Sequence, residues 1–118
     1  MITQDQLKSI QQRTEALKAY LNIDDLLIEI DEEEQRTQLP EFWNDSKSAE
    51  KLLKQIRNKK IWTDGYKAVK TAVDDTEVLF DFYKEEAATA KEVETSYNRA
   101  LIAIDDLEFK NMLSAEED

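Results

Sequence analysis

Between residues 46 and 86 apolar positions recur at steps of three and four for longer than anywhere else in the chain. Ala49, Leu52, Leu53 and Ile56 open the series, and Trp62, Tyr66, Val69, Val73, Thr76, Phe80 and Tyr83 continue it. That period lays one stripe along a single α-helix, roughly 60 Å long at 1.5 Å per residue. The two halves are out of phase. Stepping on from Ile56 puts Lys60 and Thr63 on the stripe, whereas the second series needs Lys59 and Trp62. The stripe is therefore predicted to turn around the helix across 57–61, just before Gly65. One long helix that changes partners midway is the reading.

The flanking segments carry the same period. Thr3 and Gln6 have the spacing of a capping box, and Leu7, Ile10, Leu17 and Leu21 mark the inner face of a helix over 4–21. Asn22 or Asp24 is placed to cap a second helix over 24–38, anchored by Leu27 and Ile30, with the acidic run 31–34 on a solvated face. Residues 39–45, Leu-Pro-Glu-Phe-Trp-Asn-Asp, form the one clear loop: Pro40 disfavours helix before it, and Asn44 or Asp45 can cap the long helix after it. Phe42 and Trp43 are expected to fold back as a plug at one end of the bundle. Thr89 marks the start of a last helix over 89–113, lying antiparallel to the second half of the long one. Its stripe is Ala90, Val93, Tyr97, Ala100, Leu101, Ile104, Leu107 and Met112, and 114–118 reads as a frayed acidic end.

Composition narrows the chemistry. One Gly and one Pro in 118 residues leave too little turn material for a β or α/β domain, so the fold class is all-α, an antiparallel bundle of about four helices with a long hairpin, in one domain. With neither Cys nor His, disulfides, thiolate or imidazole metal sites and Cys or His catalysis are excluded. The neighbouring carboxylates Asp24–Asp25, Asp74–Asp75 and Asp105–Asp106 point about 100° apart on a helix and read as exposed charge, not as acid–base pairs. No phosphate-binding loop or nucleophile elbow occurs. The expectation is a soluble, cytoplasmic, non-enzymatic protein with no cofactor, metal, membrane or small-molecule substrate.

Charge is unevenly spread. The net is −11, yet residues 47–70 alone sum to +6. Within that band Lys47, Lys51, Lys54 and Arg57 share the helical face opposite Ala49, Leu52, Leu53 and Ile56, the arrangement of a face turned outward while its back is packed. Three readings stand: a contact surface for a polyanion, an ordinary solvated face, or an internal complement to the acidic helices.

The loop 39–45 and the tail 107–118, Leu-Glu-Phe-Lys-Asn-Met-Leu-Ser-Ala-Glu-Glu-Asp, resemble in place and spacing the Pro-x-x-Trp-Asn-Asp and Leu-Glu-x-x-x-Met-Leu-Ser-Gly-Glu-x-Asp stretches of the type 2 bacterial peptide chain release factors. Arg13, Thr14, Leu17, Tyr20 and Leu21 match the opening helix of that family. The resemblance covers the whole chain but only the family's first domain. Ala115 stands where the family usually has Gly. Asn22 stands where many members have an Asp encoded just past a programmed frameshift, a signal that an Asn codon does not fit.

The resemblance implies a fragment. The Ser-Pro-Phe tripeptide that reads UGA and UAA stop codons and the Gly-Gly-Gln loop that triggers hydrolysis lie in later domains of the family, and neither occurs here. It implies a docking role for this domain, near the base of the ribosomal stalk, beside protein L11 and its rRNA, with an influence on factor recycling. The basic face Lys47, Lys51, Lys54 and Arg57 would then meet rRNA, and the acidic second helix would face protein. The rival is a free-standing coiled-coil module that dimerises through its long helix, and seams left exposed would let the isolated domain self-associate.

Overall fold

In the computed structural model, which describes residues 1–117, the elements among the described residues are helical. They are α1 (Gln4–Tyr20), α2 (Ile23–Arg36), a single 3-10 turn (Phe42–Asn44), α3 (Ser46–Lys84) and α4 (Ala90–Glu117). The molecule is an elongated, all-α body measuring 60 × 32 × 19 Å.

α3 is its spine. Gly65 on α3 faces Leu107 on α4, and Thr76 shares a 2.7 Å hydrogen bond with Ser96, so the two helices run antiparallel. α1 lies parallel to α4: the Met1 ammonium meets Glu94 at 2.6 Å, and Arg13 reaches Asp105 and Glu108. α2 follows α1 along the spine, joined to α3 by ion pairs from Lys59 and Lys60 to Glu33 and Glu34. The spine therefore has two sets of partners. Its second half closes a core with α1 and α4 that contains Leu7, Ile10, Leu17, Val69, Val73, Val93, Ala100 and Ile104. Its first half packs only on α2, through a small cluster of Ile30, Leu52 and Ile56 under Phe42.

The local reasons are visible at each junction. Thr3 and Gln6 exchange backbone and side-chain hydrogen bonds in a complete capping box. Ile2 and Leu7 flank it and share the core, the positions of a hydrophobic staple. Thr14 fills the inward position between Ile10 and Leu17, its hydroxyl donating to the Ile10 carbonyl at 2.7 Å. Asn22 starts α2 through backbone conformation: it is left-handed at φ 53°, with no side-chain cap bond, a state Asn tolerates better than most residues. Gly65 matters for close approach, since a Cβ there would sit 3.1 Å from Leu107 Cδ1.

Several expected positions move. The stripe keeps its step from Ile56 through Lys59 and Thr63 to Tyr66, and turns between Thr63 and Val69 instead of across 57–61. Lys59 does not interrupt it, because its ammonium meets Glu33. Glu33, expected in solvent, is buried. Leu27, expected as an anchor of α2, is 51 % exposed, and Ile23 and Ile30 hold the helix instead. Leu53, Tyr83 and Met112 also face outward. Phe42 folds into the small cluster, whereas Trp43 stays in solvent. α2 ends at Arg36, two residues early, and α4 continues to Glu117 where a frayed end was expected; Asp118 lies outside the described residues.

α3 ends in a Schellman turn. The Ala87 N–H donates to the Phe82 carbonyl at 2.8 Å and the Glu86 N–H to Tyr83 at 3.0 Å. This requires φ 60° at Glu86, where glycine is the usual occupant. Thr89 and Glu92 then form the capping box that opens α4. Glu86→Gly should relieve about 1 kcal/mol of left-handed strain and raise the melting temperature by roughly 3–6 °C, read by circular dichroism.

Candidate functional site

The first half of α3 is fixed at its start by Asp45. Its carboxylate accepts from the Lys47 and Ser48 N–H groups at 3.2 Å each and from the Ser48 hydroxyl at 2.9 Å. These bonds, the Ser48 N–H foremost, hold the Asp45 carboxyl below its ordinary pKa. Below the cap, Leu52 and Ile56 turn inward onto Ile30 and Phe42. The helical period then forces Lys47, Lys51, Lys54 and Arg57 outward, and all four are exposed.

The basic band divides by what each cation meets. Lys59 reaches Glu33, and Glu29 at 3.7 Å, while Lys60 reaches Glu34 at 3.2 Å. The hydrogen bond to Glu33 is the main reason the Lys59 ammonium is held above its ordinary pKa. Lys70 is similarly raised by its bond to Asp74 at 3.0 Å. Lys59 and Lys60 tie α3 to α2, whereas the Lys70 pair is local to α3. Lys54 makes only the local pair with Glu50 at 3.1 Å, both side chains about two-thirds exposed, and such pairs contribute little. Lys47, Lys51 and Arg57 make no ion pair among the described residues. The internal-complement reading therefore holds for Lys59 and Lys60, while Lys47, Lys51, Lys54 and Arg57 lie on an outward face. The sequence could not separate them, because the acids that engage Lys59 and Lys60 lie 26 residues away.

Beside the exposed cations lies a groove of about 460 Å³, with Trp43 as one wall, Ala49 and Leu53 as its apolar lining, and Lys54 and Arg57 along its edge. The Trp43 ring stands edge-on to Phe42, centroids 4.8 Å apart at 84°. The loop 39–45 offered no periodicity to show which aromatic would turn in.

The other candidate groups are dispersed. Asp105 is taken up by Arg13, Asp74 by Lys70 and, at 3.9 Å, Asp24 by Lys18. Among the described residues no three of Asp or Glu gather at metal-binding distance, and no helix is long and apolar enough to cross a membrane. Arg13 ties α1 to α4: Nε and one terminal nitrogen grip Glu108 at 3.1 and 2.6 Å, and the same terminal nitrogen meets Asp105 at 2.7 Å. The bond to Glu108 is the largest cause holding its guanidinium above its already high pKa. The opening helix and the Leu107–Glu108 tail, which share in the resemblance, are thereby clamped together.

Peptide chain release factor 2 of Streptomyces avermitilis is 28% identical over 116 residues, covering 97% of this chain and 32% of that protein. Those of Nautilia profundicola and Rhodococcus jostii are 30% and 29% identical, each over 95% of this chain and 31% of their own length. The chain is similar to the N-terminal region of peptide chain release factor 2. It spans about a third of the length of the curated relatives it matches. No family model and no solved structure matches. The likeness to release factor 2 runs through α1, the Trp43 loop, the spine and α4 without a large gap.

Proposed function

We propose that this chain is the non-catalytic first domain of a cytoplasmic translation termination factor, whose full-length form releases peptides at UGA and UAA codons. In this reading the domain positions the factor at the base of the large-subunit stalk, against protein L11 and nearby rRNA. The observation that carries it is the exposed face Lys47, Lys51, Lys54 and Arg57. An acidic molecule of net charge −11 keeps three of these cations without an ion-pair partner among the described residues, on a helix whose opposite face is packed against α2. Phosphate contacts of this kind supply affinity and orientation without reading sequence.

The rival reading, dimerisation through the long helix, needs an uncovered apolar seam on α3. The inward positions Leu52, Ile56, Val69, Val73 and Phe80 are already covered by α2, α1 and α4, so a dimer would have to use the apolar side chains that α3 leaves exposed, Leu53, Ile61, Val78 and Phe82.

Co-sedimentation of the 118-residue chain with intact ribosomes, with and without L11, across a salt series tests the proposal. Binding that weakens steeply with salt and diminishes without L11 is the expected result. Binding indifferent to salt and L11, or none at any salt, contradicts it.

A further inference from the structure

We infer that the groove beside Trp43 receives an unpaired nucleobase of RNA, stacked on the indole, with Lys54 and Arg57 meeting the adjoining phosphates. The inference rests on the docking role proposed above and names the chemistry of its contact.

Trp43 is 63% exposed although it sits next to a residue that is drawn inward. Phe42 takes the available core position over Ile30, Leu52 and Ile56, and no comparable apolar site covers the indole. The ring is nevertheless held in place. Its neighbour Phe42 is anchored, the two rings meet edge-to-face, and the turn is closed by the Phe42 N–H to Leu39 carbonyl and Asn44 N–H to Glu41 carbonyl bonds, both 3.1 Å. A fixed indole with an open face is a stacking platform, usable by any base because every base has a π-face.

Charge selects the occupant. From the groove edge, Lys47, Lys51, Lys54 and Arg57 follow one another at steps of four, three and three residues, roughly 4.5–6 Å apart along the helix. Glu50, a carboxylate in the groove wall, is engaged by Lys54. Four cations against one carboxylate leave the groove edge net positive, which suits a polyanion. An unpaired segment is required, because bases within an RNA duplex are stacked on each other and present no free face.

The test uses the 118-residue chain carrying Trp62→Phe, so that Trp43 is the sole tryptophan, titrated with a mixed-sequence single-stranded RNA oligonucleotide and with its duplex. Salt-sensitive quenching of Trp43 by the single strand and not by the duplex is expected. Trp43→Leu on the native background should weaken single-strand affinity at least about tenfold, which keeps the test valid if Trp62→Phe disturbs the core. Equal affinity of Trp43→Leu and native chains, with ribosome binding still salt-sensitive, overturns the stacking and leaves the docking role intact. Weaker ribosome binding by Trp43→Leu without any RNA quenching assigns the groove to a protein segment and also overturns it. Failure to bind both ribosomes and RNA overturns stacking and docking together.

Discussion

Lys59→Met should destabilise the protein by about 2 kcal/mol, and Lys59→Met combined with Glu33→Leu should restore most of it. Glu33 is 10% exposed and Lys59 27% in their side chains, and one Glu33 oxygen, Oε1, is buried without a hydrogen-bond partner. Removing the ammonium strands a carboxylate inside the α2–α3 contact. Loss of one partner from a fully buried pair costs about 3–5 kcal/mol, and the residual exposure of Lys59 lowers that figure. The double replacement substitutes an apolar contact continuous with Ile30 and Ile56, and such exchanges are often neutral or favourable. Thermal unfolding at neutral pH should show a fall of roughly 6–10 °C for the single variant and near-native behaviour for the double.

The same pair contributes to the fall in stability at alkaline pH, as do Lys70 and Tyr66. Because the folded Lys59 is held above its ordinary value, its stabilisation is fully present below the unfolded lysine pKa of about 10.4. It is lost as pH rises through the folded value. Tyr66, raised chiefly by burial, acts in the same direction in every variant. The double variant should therefore lose stability less steeply than the native chain above about pH 10.5, and the two should run parallel from pH 6 to 9.

Changing Lys47, Lys51, Lys54 and Arg57 together to Glu should lower ribosome affinity by about 100-fold or more while leaving the fold intact. If each cation meets one phosphate, four contacts contribute a salt slope of about −3, and that dependence should largely vanish. The fold should survive because all four side chains are exposed and, among the described residues, the one ion pair lost is the local one between Lys54 and Glu50. Reversing Lys8, Lys67, Lys91 and Lys110, also exposed, gives the same net charge elsewhere on the surface and should weaken binding far less. Equal weakening by both sets would reduce the effect to overall charge.

Much of this architecture was legible in the residues, for reasons that also mark where the reading stopped. Period and capping chemistry are local, so α1, the 39-residue α3 and the α3–α4 hairpin follow from Leu7, Ile10, Val69, Val73, Val93 and Ile104 and from the caps Thr3, Asp45 and Thr89. Phase is harder where apolar residues adjoin. Leu26, Leu27 and Ile28 offer three faces, and only Ile23 and Ile30, read against α3, decide that Leu27 turns outward. A charged residue on a seam is harder still: the period put Lys59 on the second stripe but Glu33 on a solvated face, and burial becomes favourable only because each supplies the other's partner. For the candidate surface, the period fixed the outward direction of Lys47, Lys51, Lys54 and Arg57. Separating them from Lys59 and Lys60 required the position of α2.

The central claim is that this outward face of α3 meets rRNA, and the chain contains no Cys, so one introduced thiol can carry a hydroxyl-radical source. Asn58→Cys places it on the basic face without removing a cation, and Glu32→Cys places it on exposed α2. Bound to ribosomes, the Asn58 position should cut rRNA at the stalk base strongly and the Glu32 position weakly. Strong cutting from Glu32 with none from Asn58 would show that the acidic helix, not the basic face, lies against the RNA.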